Sequence, residues 1–472
     1  MPTYLGVDLG TSGLRGVLLD DHLHQLASIA LPYPGLPPEN FTDSQTWLSG
    51  LEQLTRQLRR AHSRGWAALR AMSLDGTSGT LLLCNQRGQA LGPALAYSDQ
   101  RAIAEADWLQ QQWPAGGVCL SPSSSLSKLL WLRHHHADFQ QTRFVQHQAD
   151  WVAAQLTGRG GIADRGNLLK IGLDPQTRAY PAALLRILET LDIDPAILPH
   201  AVVEGSTLGR VQPQWAERLG MKTPVEVRAG CTDSVAAALA AGLNSPGKAL
   251  TSLGSSLAFK FVHPTPLNTR GLYSHYLGDF CLPGAASNAG AGALLRVFQP
   301  AQMAALEAAL RPAEATGQLL YPLINSGITN GERFPIRAPG WPGSNLPPEP
   351  NARNFQAILE GLSYIEAWSY ALMETAGGKI CGPIRSVGGG TRNHAWMQMR
   401  AHILKRPVEI LPDADPARGA ALLAASADMG GIAALEQTDI LSGQVFYPET
   451  AAVERYAHHL QQFQAEFTRF SA

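Results

Sequence analysis

The sequence DLGTSG, residues 8–13, lies near the start of the chain between two short apolar runs. YLGVD leads into its first glycine and LRGVLLD follows its second glycine, so two strand-like segments flank a turn that contains glycine. This pattern predicts a β-hairpin whose Gly-Thr-Ser-Gly turn presents backbone N–H groups and hydroxyls suited to phosphate oxygens. For the hexapeptide alone, an ordinary hairpin without a ligand is the simpler interpretation.

A second stretch repeats this pattern about half a chain later. SLGSS, residues 252–256, follows strand-forming residues and precedes the apolar run LAFKF. Gly10 and Gly254 are 244 residues apart in a chain of 472. Repetition at half length predicts two related domains that each open with a hairpin, although so short a motif also recurs by chance.

Strand-like and helix-like segments mix along the whole chain, which indicates the α/β class. The turn cluster NSPG, residues 244–247, precedes the second hairpin and indicates a boundary. We therefore predict an N-terminal domain over residues 1–242 and a C-terminal domain over residues 243–472. A helix over about residues 453–470 is expected to pack back on the first domain.

Composition argues against several classes of protein. Hydrophobic residues make up 45% of the chain and charged residues 16%, and the net charge of −1 offers no basic surface for nucleic acid or an anionic membrane. The five cysteines form no CxxC pair, and no run of about 18 apolar residues is present to span a membrane. With no apolar leader at the N-terminus, we expect a cytoplasmic enzyme with small-molecule ligands, either a monomer or a homodimer.

Asp8 immediately precedes the first turn. Phosphate oxygens repel a carboxylate unless a cation lies between them, and Mg²⁺ prefers oxygen ligands and several waters. The residue type therefore favours a magnesium site if the turn binds phosphate. A turn-capping aspartate is the alternative, since strand–turn boundaries commonly carry one.

Asp233 lies in RAGCTDSVAAALAAG, where small residues predict a closely packed helix that starts near this acid. An acid at a helix start is stabilised by the helix dipole, so Thr232 or Asp233 serves as an N-cap in the simpler interpretation. The functional interpretation is a general base at the helix tip, which takes a proton from a hydroxyl as that hydroxyl attacks phosphorus.

The stretch GGGTRNHAW, residues 388–396, places three glycines between a strand-like segment and a helix. Backbone can approach a flat ligand closely there, and Asn393 and Trp396 are candidates to contact an adenine. The stretch matches neither the GxGxxG dinucleotide fingerprint nor a Walker A loop, and a flexible connector is the alternative.

The motifs DLGTSG, LDGTSGT, AGCTDSVAAALAAG, SLGSS and GGGTRNHAWMQ follow one another in an order that resembles the FGGY family of carbohydrate kinases. The resemblance covers nearly the whole chain. It implies a two-domain α/β architecture of the actin-like ATPase (ribonuclease H-like) fold with a central inter-domain cleft, and it implies ATP and Mg²⁺ as cofactors. It also supports the duplication that the two hairpins suggest.

The resemblance implies a role for each matching position. Asp8 becomes the magnesium-associated acid, and Asp233 becomes the base, with contact to magnesium through water. The sugar is held by Asp8, Ser12, Gly13, Ser78 and Asp233. The nucleotide is held by Thr11, Ser12 and Gly13 in the first domain and by Gly254, Ser255, Gly388, Gly389, Asn393 and Trp396 in the second.

Within the family, the segment DGTSG is most similar to D-ribulose kinases of cyanobacteria and plants. The resemblance thus implies transfer of the γ-phosphoryl group to the terminal hydroxyl of a ketopentose, D-ribulose above all. Xylulose kinase or another FGGY kinase of polyols or ketoses is the alternative. A nucleotide-regulated sugar sensor or an actin-like assembly protein is a different class, and Asp233 speaks against it because a sensor needs no proton acceptor.

Overall fold

The computed structural model of the chain describes residues 1–33, 39–267, 269, 271–323, 331–411, 414–437 and 443–471. The chain forms two compact units. The first unit contains Met1–Ala240, His275–Asp279 and Ala414–Ile440, and the second contains Ala241–Ser274, Phe280–Asp413 and Leu441–Ala472. Among the described residues, no helix is long and apolar enough to cross a membrane.

The strands are β1 (Thr3–Leu9), β2 (Gly13–Leu19), β3 (Gln25–Pro32), β4 (Leu69–Gly76), β5 (Leu81–Cys84), β6 (Phe144–His147), β7 (Ile162–Asp164), β8 (His200–Val202), β9 (Thr207–Arg210), β10 (Glu226–Thr232), β11 (Ala249–Leu253), β12 (Leu257–Phe261), β13 (Tyr273–Leu277), β14 (Phe280–Ser287), β15 (Gly331–Glu332), β16 (Ala338–Pro339), β17 (Ile384–Val387), β18 (Val408–Ile410) and β19 (Gln444–Phe446).

The α-helices are α1 (Glu39–Thr42), α2 (Ser44–Ala61), α3 (Ser63–Ala67), α4 (Ile103–Gln112), α5 (Ser125–His135), α6 (Gln148–Thr157), α7 (Arg165–Leu168), α8 (Ala182–Thr190), α9 (Pro213–Leu219), α10 (Asp233–Ala240), α11 (Pro300–Glu307), α12 (Ala352–Thr375), α13 (His394–Leu404), α14 (Pro416–Ser426) and α15 (Thr450–Thr468).

The main sheet of the first unit has the strand order β3-β2-β1-β4-β10-β9. β1, β4 and β10 are parallel neighbours, whereas β2, β3 and β9 run antiparallel to the strands they pair with. Parallel strands end at the same edge of a sheet, so the residues that close β1, β4 and β10 lie side by side. That edge carries the acids described below.

The main sheet of the second unit has the order β13-β14-β12-β11-β17-β18-β19. Here β11, β17 and β18 are the parallel neighbours, and β12, β14 and β19 pair antiparallel. From β14 to β19, this sheet repeats the sequence of strand directions found from β3 to β9. The two predicted hairpins are therefore confirmed as matching features, β1–β2 in one sheet and β11–β12 in the other.

Helix α2 shows how periodicity in the sequence determines packing. Trp47, Leu54 and Leu58 recur at helical spacing and are fully buried. Asp43 caps the helix by accepting a hydrogen bond from the backbone of the second helical residue. Gly16 on β2 lies against the leucines: a Cβ there would be 3.0 Å or less from both leucine side chains. The missing side chain thus lets the helix pack directly on the hairpin.

Helix α14 belongs to the first unit, whereas we expected this part of the chain in the C-terminal domain. Small residues allow α14 to pack in the first unit. A Cβ on Gly6 of β1 would lie 2.0 Å from the carbonyl oxygen of Ala417, and a Cβ on Gly419 would lie 1.9 Å from that of Ala236. Glycines at both contacts let α14 approach the sheet and α10 at backbone distance.

Helix α15 packs in the second unit, not on the first domain as we expected. Its Phe463 and Phe467 are buried, and their rings lie 5.6 and 5.3 Å from the ring of Tyr321. Phe463 also lies 5.3 Å from Tyr364 of α12. An aromatic cluster of this kind buries several hundred Å² of apolar surface and so fixes the helix to this unit.

Candidate active site

The first hairpin turn is open to solvent on one side and closed on the other. Ser12 is exposed, while Thr11 and Gly13 are partly buried. A Cβ on Gly13 would lie 2.2 Å from the carbonyl oxygen of Leu31 on β3, so only glycine fits at this position. The turn is thus held by the neighbouring strand and presents its hydroxyls outward, as a phosphate-binding turn requires.

Sheet register brings the candidate acids of the first unit together. Asp8 near the end of β1 is paired with Asp75 near the end of β4, and Asp75 is in turn paired with Cys231 on β10. Asp233 follows β10 directly as the first residue of α10. The charges of Asp233 and of Asp415, which caps α14, act on both Asp8 and Asp75, so four carboxyl groups gather at one sheet edge.

Burial dominates the protonation of this acid cluster. Asp8 is 4% exposed, and its pKa is raised to about 6 by burial and by the charge of Asp233, against the opposing effect of a bond with Asp75 and of Arg15. The guanidinium of Arg15 lies 3.6 Å from the Asp8 carboxylate. Asp75 is fully buried, and burial together with the Asp8 charge raises its pKa further.

Neither oxygen of Asp75 accepts a hydrogen bond from a donor group on the described residues. Two ionised carboxylates offer only acceptors, so they cannot bond to each other. A single proton on Asp75, donated to Asp8, pairs one oxygen of each group and leaves the second Asp75 oxygen as an acceptor. The bond has the effects that this arrangement requires, because it opposes the rise in the pKa of Asp8 and adds to the rise in the pKa of Asp75.

The residue types at this edge fit a magnesium ion. Among residues 1–33, 39–267 and the other described ranges, no group of three or more His, Cys, Asp or Glu side chains is arranged to hold a metal. Mg²⁺, however, usually keeps several waters and binds through one or two carboxylates together with substrate phosphates. Asp8 and Asp233 at this edge provide one or two carboxylates of that kind.

The segment DGTSG continues from β4 into a tight loop. The hydroxyl of Thr77 lies 2.6 Å from that of Thr80 and 2.9 Å from Gln148, so threonine closes the loop on itself. The Oγ of Ser78 is buried and has no hydrogen-bond partner among the described residues. A buried hydroxyl without a partner is costly, so Ser78 is well suited to bind a ligand oxygen.

The second unit contains a cavity of about 580 Å³ beside its hairpin turn. Gly254 and Ser255 of the turn line one side, and Gly389 and Asn393 line another. The remaining wall is largely apolar and includes Leu295, Pro300, Met303, Phe355 and Leu359. Volume and lining suit an aromatic base with polar groups at one end. All predicted nucleotide contacts of the second domain except Gly388 line this cavity.

The three glycines before α13 have different roles. Gly388 has a φ of +96°, and a Cβ on it would lie 2.7 Å from the Leu253 carbonyl oxygen, so it lets β17 turn close to β11 instead of lining the cavity. A Cβ on Gly390 would lie 2.6 Å from the Trp396 ring. A Cβ on Gly389 would have no heavy atom within 4 Å, which leaves the cavity wall open at this point.

Asn393 and Trp396 lie at the cavity, where the side-chain oxygen of Asn393 and the ring N–H of Trp396 already have partners. The side chain of Asn393 caps α13 by accepting a hydrogen bond of 2.7 Å from the Trp396 backbone. Trp396 is 2% exposed, and its ring N–H donates to Ser363 of α12 over 2.9 Å. The structure thus supports an apolar contact from Trp396 and a capping role for Asn393, while the adenine contact of Asn393 stays a prediction.

Sequence reasoning missed several residues of these two sites. Asp75 is part of the LDGTSGT motif, and its position one residue before the loop was the available signal. Asp415 precedes a proline at a helix start, a pattern that indicates a cap and not a site. Glu307, which accepts a hydrogen bond from the His394 backbone at the cavity, carried no recognisable motif.

Both halves of the chain match models of a single enzyme family, which defines the class as carbohydrate kinases. Residues 3–240 match the N-terminal domain of the FGGY family of carbohydrate kinases, and residues 249–427 match its C-terminal domain. The chain belongs to the FGGY family.

Curated relatives of similar length are xylulose kinases. The xylulose kinase of Bacillus subtilis (strain 168) is 26% identical over 483 aligned residues, which cover 97% of this chain and 95% of the relative. That of Escherichia coli (strain K12) is 27% identical over 89% of each chain. That of Streptomyces coelicolor is 29% identical over 91% of this chain and 88% of the relative.

Solved structures confirm the predicted two-domain α/β fold. The xylulose kinase from Rhodospirillum rubrum superposes with a TM-score of 0.84 at 23% identity, covering 99% of this chain and 98% of the other. The glycerol kinase of Plasmodium falciparum, solved with ADP, gives a TM-score of 0.81 at 16% identity, with coverage of 100% and 98%.

Proposed function

We propose that this kinase transfers the γ-phosphoryl group of ATP to the terminal hydroxyl of a ketopentose, with D-ribulose as the substrate and D-ribulose 5-phosphate as the product. The acids of the first unit are assigned to the sugar and the transferring phosphoryl group. The cavity of the second unit is assigned to the nucleoside.

The position of Asp233 carries this proposal. It is the first residue of α10, directly after β10, and its charge acts on Asp8 and Asp75 at the neighbouring strand ends. It is partly buried, and its Oδ1 accepts a hydrogen bond of 2.6 Å from the Ser234 backbone. One carboxylate oxygen is thus held in place, which orients the group for proton transfer.

In the proposed reaction, Asp233 accepts the proton of the attacking hydroxyl. Backbone N–H groups and hydroxyls of Thr11, Ser12 and Gly13 hold phosphate oxygens, and Ser78 holds the sugar. Asp8 and Asp233 would hold magnesium through water. A bound magnesium ion supplies positive charge that neutralises the transferring group. The protein's contribution is mainly position and electrostatics, as phosphoryl transfer generally requires.

The choice of D-ribulose depends on the DGTSG loop. The loop resembles that of D-ribulose kinases, and the unpartnered hydroxyl of Ser78 offers a hydrogen bond to a neutral sugar. Xylulose kinase is the second candidate, because the curated relatives are named so. D-xylulose and D-ribulose differ only in configuration at C-3, so a few hydrogen bonds decide between them.

A coupled ADP assay over D-ribulose, L-ribulose, D-xylulose and glycerol tests the proposal. We expect kcat/KM to be at least about tenfold higher for D-ribulose than for any other sugar. A higher value for D-xylulose would make the chain a xylulose kinase. If no sugar stimulates ADP release, the sensor and assembly alternatives gain support, and sedimentation with ATP distinguishes them.

A further inference from the structure

Lys170 places a positive charge beside the DGTSG loop, and the proposed reaction gives this charge no role. It lies in the short helical segment Leu169–Ile171, and its Nζ donates a hydrogen bond of 2.7 Å to the carbonyl oxygen of Ser78. The side chain is partly buried, so part of it still meets solvent. A lysine ammonium has three N–H donors, and among the described residues Ser78 is its one acceptor.

Gly79 fixes the distance between the lysine and the loop. This glycine has a φ of +90°, and a Cβ on it would lie 3.0 Å from Cδ and 3.4 Å from Nζ of Lys170. The same Cβ would lie 3.6 Å from Oγ of Ser125. The lysine therefore lies along the backbone of the loop, with its ammonium at the residue that carries the unpartnered Ser78 hydroxyl.

The charges around Lys170 are of both signs. Burial lowers its pKa, and the charge of Asp233 acts in the opposite direction, which places the lysine within electrostatic range of the proposed base. Lys128 of α5, a second lysine that bonds to the loop, lies close enough for the Lys170 charge to affect it. Among the described residues, no carboxylate lies within ion-pair distance of the Lys170 ammonium.

Lys128 provides an internal comparison. It is fully buried, and its Nζ donates to the carbonyl oxygens of Gly79 at 2.9 Å and Ala96 at 2.5 Å. Its bonds tie the loop to a neighbouring segment and leave no face toward solvent. Lys128 is thus the lysine that holds the loop, whereas Lys170 keeps donors available at the loop surface.

We propose that Lys170 is a substrate-binding residue, whose ammonium donates a hydrogen bond to an oxygen of the ketose other than the phosphorylated hydroxyl. This inference rests on the proposed function. Asp233 accepts the proton of the hydroxyl that reacts. Lys170 donates a hydrogen bond to another oxygen, which acts only as an acceptor. A donor from Lys170 and an acceptor from Asp233 thus bind different oxygens of the sugar and give it one orientation.

A series of substrates that each lack one oxygen tests the role. The kcat/KM of the parent enzyme is measured for D-ribulose, for its 1-deoxy, 3-deoxy and 4-deoxy forms, and for 2-deoxy-D-ribitol, which lacks the oxygen at C-2. The same series is measured for Lys170→Met and for Lys170→Gln, which keeps a donor for Ser78 but has no charge. Lys128→Met is the matched control, and thermal unfolding checks that each variant is folded.

We expect the parent to lose at least about 30-fold in kcat/KM when the oxygen bound by Lys170 is missing, because charge-assisted bonds are strong. In both Lys170 variants, kcat/KM should fall less than about threefold when that same oxygen is missing. When another oxygen is missing, kcat/KM should fall as much as it does in the parent enzyme. Lys128→Met, which only loosens the loop, should keep the parental pattern.

The inference would be overturned if, for every missing oxygen, kcat/KM fell as much in both Lys170 variants as it does in the parent enzyme. A parent enzyme that phosphorylates no ketopentose would instead refute the proposed function, so the two failures are distinct. If Lys170→Met does not fold, Lys170→Gln alone decides the question.

Discussion

Asp8 and Asp75 occupy paired positions on the parallel strands β1 and β4, and both carboxyl groups are buried. Two acids in such contact cannot both ionise without cost, so the pair holds a proton at pH values where free aspartates have lost theirs. The candidate active site therefore stores unfavourable charge that a bound cation would relieve.

This pair should make the protein less stable as pH rises. Unfolded aspartate titrates near pH 4, whereas the pKa of folded Asp8 is about 6 and that of Asp75 is also raised. The folded state thus binds more protons from about pH 4 upward, and the free energy of unfolding falls as pH rises through that range. Asp75→Asn should reduce the fall in Tm between pH 5 and pH 8 by on the order of 2–4 °C.

Asp174→Asn is the control of opposite sign. Backbone hydrogen bonds from Thr177 and Gln176 lower the pKa of Asp174, so its contribution is present above pH 4 and is lost as pH falls. Its removal should leave the fall in Tm from pH 5 to pH 8 unchanged. Equal slopes for the parent and Asp75→Asn would contradict the shared-proton arrangement.

Asn393 should act through its cap and not through the nucleotide base. Asn393→Ala removes the acceptor for the Trp396 backbone and should cost about 0.5–2 kcal/mol of stability. Asn393→Asp keeps an acceptor there, so we expect its Tm and its KM for ATP to remain close to the parent values. A large rise in KM for ATP with Asn393→Asp alone would restore the adenine contact that the motif first suggested.

Two neighbouring glycines should respond differently to the same substitution. Gly389→Val adds a side chain where a Cβ meets no heavy atom within 4 Å, so the fold should persist while the cavity narrows. We expect KM for ATP to rise about tenfold and Tm to change little. Gly390→Val should lower Tm, because its Cβ would lie 2.6 Å from the Trp396 ring. An unchanged KM for ATP with Gly389→Val would remove the nucleotide from this cavity.

Asp8→Asn should weaken the response to magnesium. Loss of the carboxylate removes the oxygen that we assign to the ion, so the magnesium concentration for half-maximal activity should rise about tenfold or more. Arg15→Gln, which removes the cation 3.6 Å from Asp8 but leaves the carboxylate, is the control and should change this concentration much less. Magnesium dependence that stays the same in Asp8→Asn argues against the assignment.

The sequence predicted both hairpins, the α/β class and the start of α10, because each depends on local signals: glycine turns, apolar periodicity and a capping acid. The pairing of Asp8 with Asp75 depends on the register of strands more than 60 residues apart, and no local pattern contains it. The same holds for α14, whose position in the first unit depends on glycines from two separate elements, β1 and α14 itself.

The orientation of side chains was the second feature that the sequence did not predict. The motif around Asn393 and Trp396 indicated the cavity but not which atoms face it. The orientation of α13 is set by its packing on α12, where Ser363 accepts the Trp396 ring N–H. Lys170 was overlooked for a similar reason, since only the folded loop brings its ammonium to Ser78.

Sugar-dependent ADP release by Asp233→Asn, measured with D-ribulose and MgATP beside the parent enzyme, tests the central claim most directly. The amide keeps the shape of the side chain but cannot accept the proton of the attacking hydroxyl. We predict that kcat falls by about 10²–10⁴-fold while the affinity for ATP stays within about threefold of the parent value. A variant with parental kcat would contradict the assignment of Asp233 as the base.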